Sequence, residues 1–501
     1  MCTRAAAALI GAVSLWGCSA RPSSPAAPIS PSRALYEVHI ASDNPWIIDV
    51  EATFEGGVET GAIAFPPGAL GLSVYDNLGK RTPREHGRSF LLHCRGTCRV
   101  HYQFNLTAAA ELTHDAASVA VRSEGDLVAP ASTWFLRPEP VNPHTPVELN
   151  VDTSQVGREA RRSVRFEAPF PRDSRGHYQL VARDLSALGY TLWGSFVTRD
   201  VPVTSGRLQL ALTAGSRAVT DESIVKWVGR TARALDTVYG RFPIDQALLT
   251  IVPVQGSNVV EFGRTVPAGG ASILLFVGAD ADASTLANDW ILAHELVHLG
   301  VPSMPRDGRW LDEGLATYYE PVLRARAGLS SPAEVWASLV DHAEKGAATR
   351  AEPSLAATEE HDRVYFGGAA FCLAADVEIR SKTSSKRSLD DGLKRALARG
   401  ANATRVWTVD EFVDVLDDGV GQAVVRPMLD RIRRAKIPCN AADPERCAPD
   451  ETPSLARLFA SLGVKPGRPG EVTFDDGAPL AKIRRELLMV DVAAANEIAK
   501  D

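Results

Sequence analysis

Ala293-His294-Glu295-Leu296-Val297-His298-Leu299 is the stretch on which the reading of this chain turns. His294 and His298 stand four residues apart with Glu295 between them. Four helical residues turn about 400° and rise about 6 Å, so both imidazoles leave one helix face, one turn apart. That spacing suits one tetrahedral Zn2+, which takes imidazole nitrogens at roughly 2.0–2.1 Å. Glu295 borders the same face, where it can accept a proton from a water that the metal activates. Chance yields the pattern roughly 0.015 times in a chain of this size. The flanking Trp290-Ile291-Leu292 and Leu296-Val297 call for a largely buried helix, which argues against two incidental histidines on an exposed one.

A catalytic zinc needs a third protein ligand and an open position. Downstream runs Gly308-Arg309-Trp310-Leu311-Asp312-Glu313-Gly314-Leu315-Ala316-Thr317-Tyr318-Tyr319. With these residues the chain resembles the gluzincin metallopeptidases, whose second helix carries a glutamate ligand in a Trp-Leu-x-Glu-Gly-x-x-x-Tyr pattern. The resemblance implies Glu313 as the third ligand, after a loop shorter than in the large aminopeptidase branch. Asp312 and Glu320 are alternative carboxylates. On a helix Asp312 points about 100° away from Glu313, which suits a supporting bond to a ligating histidine better.

Val364-Tyr365-Phe366-Gly367-Gly368, then Asp376-Val377-Glu378-Ile379-Arg380 and Ser388-Leu389-Asp390-Asp391, are similar to the glycyl aminopeptidase-like branch. That likeness implies a thermolysin-like catalytic domain in which Tyr365 donates its hydroxyl to the oxyanion formed during attack. A Tyr365 packed between helices with a satisfied hydroxyl is the structural alternative. The implied activity is hydrolysis of peptide bonds, with Glu295 as general base. The large aminopeptidase branch holds the substrate's amine with an acid in a Gly-x-Met-Glu-Asn strand. The comparable stretch, Gly269 to Phe276, carries no acid and reads as an edge strand for an extended peptide. Glu261, Asp280 and Asp282 are near in sequence without an assignable role. Aminopeptidase and endopeptidase cleavage therefore both stay open.

Residues 1–17 read as a signal peptide of the lipoprotein type, with Arg4 before an apolar run too short to span a bilayer. Leu15-Trp16-Gly17-Cys18 resembles a bacterial lipoprotein processing box, which would leave Cys18 as the lipidated first residue and membrane anchor. An ordinary secretory signal cleaved near Ala20 is the alternative, and either places the protein outside the cytoplasm. Residues 18–33, with Pro22, Pro25, Pro28 and Pro31, form an extended tether. An oxidising compartment fits a hairpin-closing Cys94–Cys98 disulfide, a Cys439–Cys447 pair and a buried free thiol at Cys372. A net charge of −7 without a basic block gives no footprint for nucleic acid or for an anionic membrane surface.

The expected fold class is α+β. Residues 34–205 alternate in short apolar runs and form a β-rich, sandwich-like domain. Residues 206–400 form the catalytic domain, opening with Thr220 as N-cap of a helix ending at Tyr239, followed by strands at Leu248–Val252 and Ser272–Val277. Residues 401–501 are helical. The partner is a peptide or protein substrate, and nothing in the sequence sets the oligomeric state. The rival function is a non-catalytic peptide-binding or scaffold lipoprotein of the cell envelope.

Overall fold

Alternation of buried and exposed side chains builds the first domain. In Arg33–Asp43, Tyr36, Val38 and Ile40 are buried, and in the antiparallel partner Trp46–Glu55, Ile48, Val50, Ala52 and Phe54 are buried. A period of two puts each set on one face of the sheet. The computed structural model describes residues 29–489 except 44–45, 64–68, 77–78, 87–88, 112–120, 155–163, 188, 267–269, 348–353 and 435–454. The leader, Cys18, most of the tether and the Cys439–Cys447 pair lie outside the described residues.

These two strands sit in a seven-stranded sheet, and two four-stranded sheets complete the domain around one shared core. Hydroxyls cross that core to backbone oxygens: Tyr102 donates to Trp134 at 2.8 Å, and Tyr36 donates to Leu136. Cys94 and Cys98 are joined, but not across a hairpin. Ser89–Cys94 pairs within one four-stranded sheet and Cys98–Asn105 within the seven-stranded one, so the bond ties a corner between sheets. A five-residue turn looked like a hairpin because local alternation carries no record of which neighbour each strand pairs with.

The second domain is built on a sheet of five strands in the order Val197–Val201, Arg207–Leu212, Gln246–Val254, Ala271–Gly278, Val260–Val266. The three central strands are parallel and both edges antiparallel. It takes in Val197–Val201, upstream of the boundary drawn at 205. Ala271–Gly278 is interior, and the edge is Val260–Val266, so the expectation of an edge strand at 269–276 is corrected. An all-apolar run such as Ile273-Leu274-Leu275-Phe276 suits a strand covered on both faces.

One face of this sheet packs on the β-rich domain through Val128, Tyr190, Leu192 and Phe196 against Leu248, Val252, Val266 and Leu274. Asp126 fastens the junction by accepting from the backbone N–H of Ser195 and of Ala214, each at 2.7 Å. The other face carries helices. Asp221–Tyr239 begins at Thr220, whose hydroxyl accepts from Ser223 N, and stops at Gly240 with φ 81°. Ile291–Val297, Arg309–Arg326, Pro332–Lys345 and Gly368–Thr383 follow.

The region beyond 400 is helical, with a capping box of Thr408 and Glu411 on one helix, and it adds a small hairpin of Val464–Pro466 with Val472–Phe474. Phe459, Leu462, Ile483 and Leu487 join the core of the second domain rather than forming one of their own. Among the described residues no helix is long and apolar enough to cross a membrane.

Candidate metal centre and active site

The helix Ile291–Val297 is fully buried, and its first turn is held by Asp289, which accepts from Ile291 N and Leu292 N at 3.1 and 2.9 Å. Burial pushes the Asp289 carboxyl up to about 6 against those bonds. His294 projects from the last turn, and His298 begins a 3-10 turn that runs to Gly300.

Glu313 arrives from the first turns of Arg309–Arg326. Gly314, beside it, faces Gly368 so closely that a Cβ there would lie 2.5 Å from Gly368 C. A Cβ on Gly368 would lie 2.2 Å from Trp310 O. Two helices thus touch backbone to backbone, which only paired glycines permit, and the contact sets Glu313 beside Tyr365.

The three ligand atoms form a near-equilateral triangle. His294 Nε2 to His298 Nε2 is 3.4 Å, His294 Nε2 to Glu313 Oε2 is 3.4 Å, and His298 Nε2 to Glu313 Oε2 is 3.5 Å. A tetrahedron with arms of 2.0–2.1 Å has edges of roughly 3.3–3.4 Å, so the donor set fits one zinc with a fourth position open. His298 Nδ1 lies 2.8 Å from Asp312 Oδ1, so Nδ1–H donates to that carboxylate and Nε2 is the nitrogen turned to the triangle. Burial alone would lower the basicity of His298, but Asp312 and then Glu313 raise it well above the ordinary value. Burial would raise the Glu313 carboxyl, but its bonds to His294 and His298 hold it far below the usual range. The cluster is therefore an electronegative trap for a cation. Glu320, an alternative ligand by its place in the sequence, lies elsewhere, buried with Arg324 at 3.3 Å.

A second grouping, Glu148, Asp173 and His177, also converges. There Glu148 is already engaged by Arg33 and Arg175 at 2.9 Å each and by His177 at 2.7 Å, so its charge is spent on ion pairs.

Glu295 is buried, and the edge strand passes directly over it. A Cβ on Gly263 would lie 2.7 Å from Glu295 Cγ, and Thr265 Oγ1 donates to Glu295 O at 2.8 Å. Sequence reasoning missed this strand, since Glu261 and Arg264 break the apolar run that marked its neighbour. Tyr365 sits in a π-helical turn, Arg363–Gly367, a geometry with no sequence signature here. Its ring stacks on His294 at 5.9 Å and 15°, and on His361 at 4.5 Å. Burial, then the Glu313 charge, pushes its hydroxyl up to about 12, so it stays a donor at neutral pH. Trp290, 52% exposed, stands edge-on to His294 at 6.0 Å.

The Asp376–Arg380 and Ser388–Asp391 stretches turn out to brace helices. Asp376 accepts from Tyr318 Oη at 2.8 Å, Arg380 Nε at 3.1 Å and Leu389 N at 2.8 Å. Asp390 accepts from Tyr319 Oη at 2.7 Å and Arg326 at 2.9 Å. Two consecutive tyrosines of the Glu313 helix are thereby anchored.

No protein-family model and no curated protein matches the sequence. Solved structures do match in fold. An aminopeptidase N family protein from Idiomarina loihiensis superposes with TM-score 0.61 at 15% identity, covering 86% of this chain and 78% of that one. A two-domain M1 zinc metallopeptidase mutant bound to L-arginine gives 0.51 at 15%, covering 83% and 96%. A mutant of the M1 zinc metallopeptidase from Deinococcus radiodurans, bound to a Tyr-Ser-Ala substrate, gives 0.51 at 14% with the same coverage. The chain therefore has the fold of the M1-type zinc metallopeptidases, with a β-rich first domain and helical C-terminal region.

Proposed function

We propose that this protein is a zinc metallopeptidase with a thermolysin-like catalytic domain. It is exported and held at the cell envelope by a lipid on Cys18. The observation that carries the peptidase reading is the ligand triangle of His294, His298 and Glu313, with Tyr365 stacked on His294 and Glu295 buried next to His294 on the same helix.

Zinc on that triangle would acidify a water and polarise the scissile carbonyl. Glu295 takes the proton of the attacking water and returns it to the departing amine. The Tyr365 hydroxyl donates to the carbonyl oxygen as negative charge builds there. The substrate backbone pairs with the free side of Val260–Val266, as an added strand. That edge carries an exposed acid, Glu261, where the register shifts two residues before Gly263. A carboxylate there suits the free amine of a substrate, which favours aminopeptidase over endopeptidase cleavage.

Hydrolysis of a peptide series by the zinc-loaded protein tests this. Glu295→Gln should keep zinc and lose at least about a hundredfold in kcat. Near-full activity in that variant would remove Glu295 from the mechanism. An inert wild type with zinc bound would favour the peptide-binding alternative. Blocking the substrate amine should abolish cleavage, and Glu261→Gln should raise KM for free-amine peptides. Equal cleavage of blocked and free peptides would assign an endopeptidase instead.

A further inference from the structure

Arg309 opens the helix that carries Glu313 and stands one turn before it. Its Nε lies 3.9 Å from Glu313 Oε1, and its guanidinium carbon lies 5.8 Å from the centre of the Tyr365 ring. The side chain is 51% exposed. Arg309 also hydrogen-bonds the Tyr365 hydroxyl, so the guanidinium stands between the third ligand and the tyrosine, and an exposed pair of this spacing adds little to helix stability by itself. A zinc ion on the triangle would absorb the charge of Glu313 and leave the guanidinium beside a second cation. An incoming anion relieves that juxtaposition.

We infer that Arg309 is a specificity-determining residue that binds a substrate carboxylate one residue beyond the cleaved bond, the free C-terminus of a short peptide. This rests on the zinc-peptidase reading and names its substrate class. An extended chain advances about 3.3–3.6 Å per residue, so that carboxylate falls within reach of a guanidinium beside Glu313 and Tyr365. The planar fork of arginine matches a carboxylate with two parallel hydrogen bonds, which a lysine would not. An acidic side chain at the same position offers the same chemistry, and the test separates the two sources.

Three phosphinic dipeptide analogues are compared by calorimetry on the zinc-loaded full chain, for wild type and Arg309→Gln. One ends in a free carboxylate, one in a carboxamide, and one in an aspartyl carboxamide. The free carboxylate should bind wild type at least about tenfold more tightly than the carboxamide, or about 1.4 kcal/mol. In Arg309→Gln, checked for unchanged zinc content, the ratio should fall to about one. An aspartyl carboxamide that equals the free carboxylate overturns the terminal-carboxylate assignment. Equal binding of all three by wild type, or a ratio that survives Arg309→Gln, overturns the role of Arg309 and leaves the peptidase reading standing. Failure of every analogue to bind the zinc-loaded protein instead removes the peptidase reading, and this inference with it.

Discussion

The β-rich domain and the region that carries the metal-ligand cluster solve the burial of polar groups in different ways. In the first, tyrosine hydroxyls reach backbone oxygens, and among its described residues only Asp126, Glu148 and Asp184 are charged and buried. The second domain and the C-terminal part bury His294, Glu295, Glu320, Arg326, Asp376 and Arg380, among others. Apolar burial is non-directional and tolerates small shifts. A buried ion pair is costly unless its geometry is kept. The contrast teaches that the site's precision comes from charge networks around the helices, while the β-rich domain supplies a wall against the outer face of the sheet.

The largest effect should come from breaking that network. Asp376→Ala leaves Arg380 buried without its partner and unties Tyr318, so denaturation should show a loss of about 3–5 kcal/mol. A loss below about 1 kcal/mol would erase the contrast between the regions. Next comes Asp312→Ala, which frees the His298 ring, and metal titration should show affinity weakened by about 10–100-fold with the fold intact. Unchanged affinity would demote Asp312 to a bystander.

In the β-rich domain, replacing Cys94 and Cys98 together by Ser opens a short loop and should cost about 2 kcal/mol. Metal affinity should not move, and a parallel drop in it would mean that the domains are coupled more tightly than their apolar junction suggests.

The last test concerns Glu320, whose carboxyl burial pushes up to about 8 while Arg324 pulls it back. The folded chain thus holds a proton that the unfolded chain has released above about 4.3. Its contribution favours folding at acid pH and is lost as pH rises through about 8. Glu320→Gln should therefore gain stability relative to wild type as the pH rises from 5 to 8. A thermal-melt difference that is the same at both values would show that Arg324 keeps Glu320 ionised throughout.

Much of the site is legible in the amino-acid sequence. The two histidines and Glu295 share a helix, where hydrogen bonds between residues four apart fix the spacing of side chains. The caps at Thr220, Ser388 and Thr408 are readable for the same local reason. Less legible is Val260–Val266, because Glu261, Gly263 and Arg264 interrupt the alternation that flags a strand. The motif Asp376 to Arg380 is visible, but its role as a brace is not, since its partners Tyr318 and Leu389 lie on other elements.

Sequence alone determined the identities and local spacing of the groups that could hold and use a metal, because helix periodicity is set within a few residues. Tertiary structure decided that Glu313 meets the imidazoles, that Tyr365 stacks on His294, that Arg309 stands beside Glu313 and Tyr365, and which strand forms the open edge. Those outcomes depend on surfaces brought together from distant parts of the chain, such as the touching backbones at Gly314 and Gly368. No local periodicity encodes which of two helices will approach that closely; close packing of the whole core selects it.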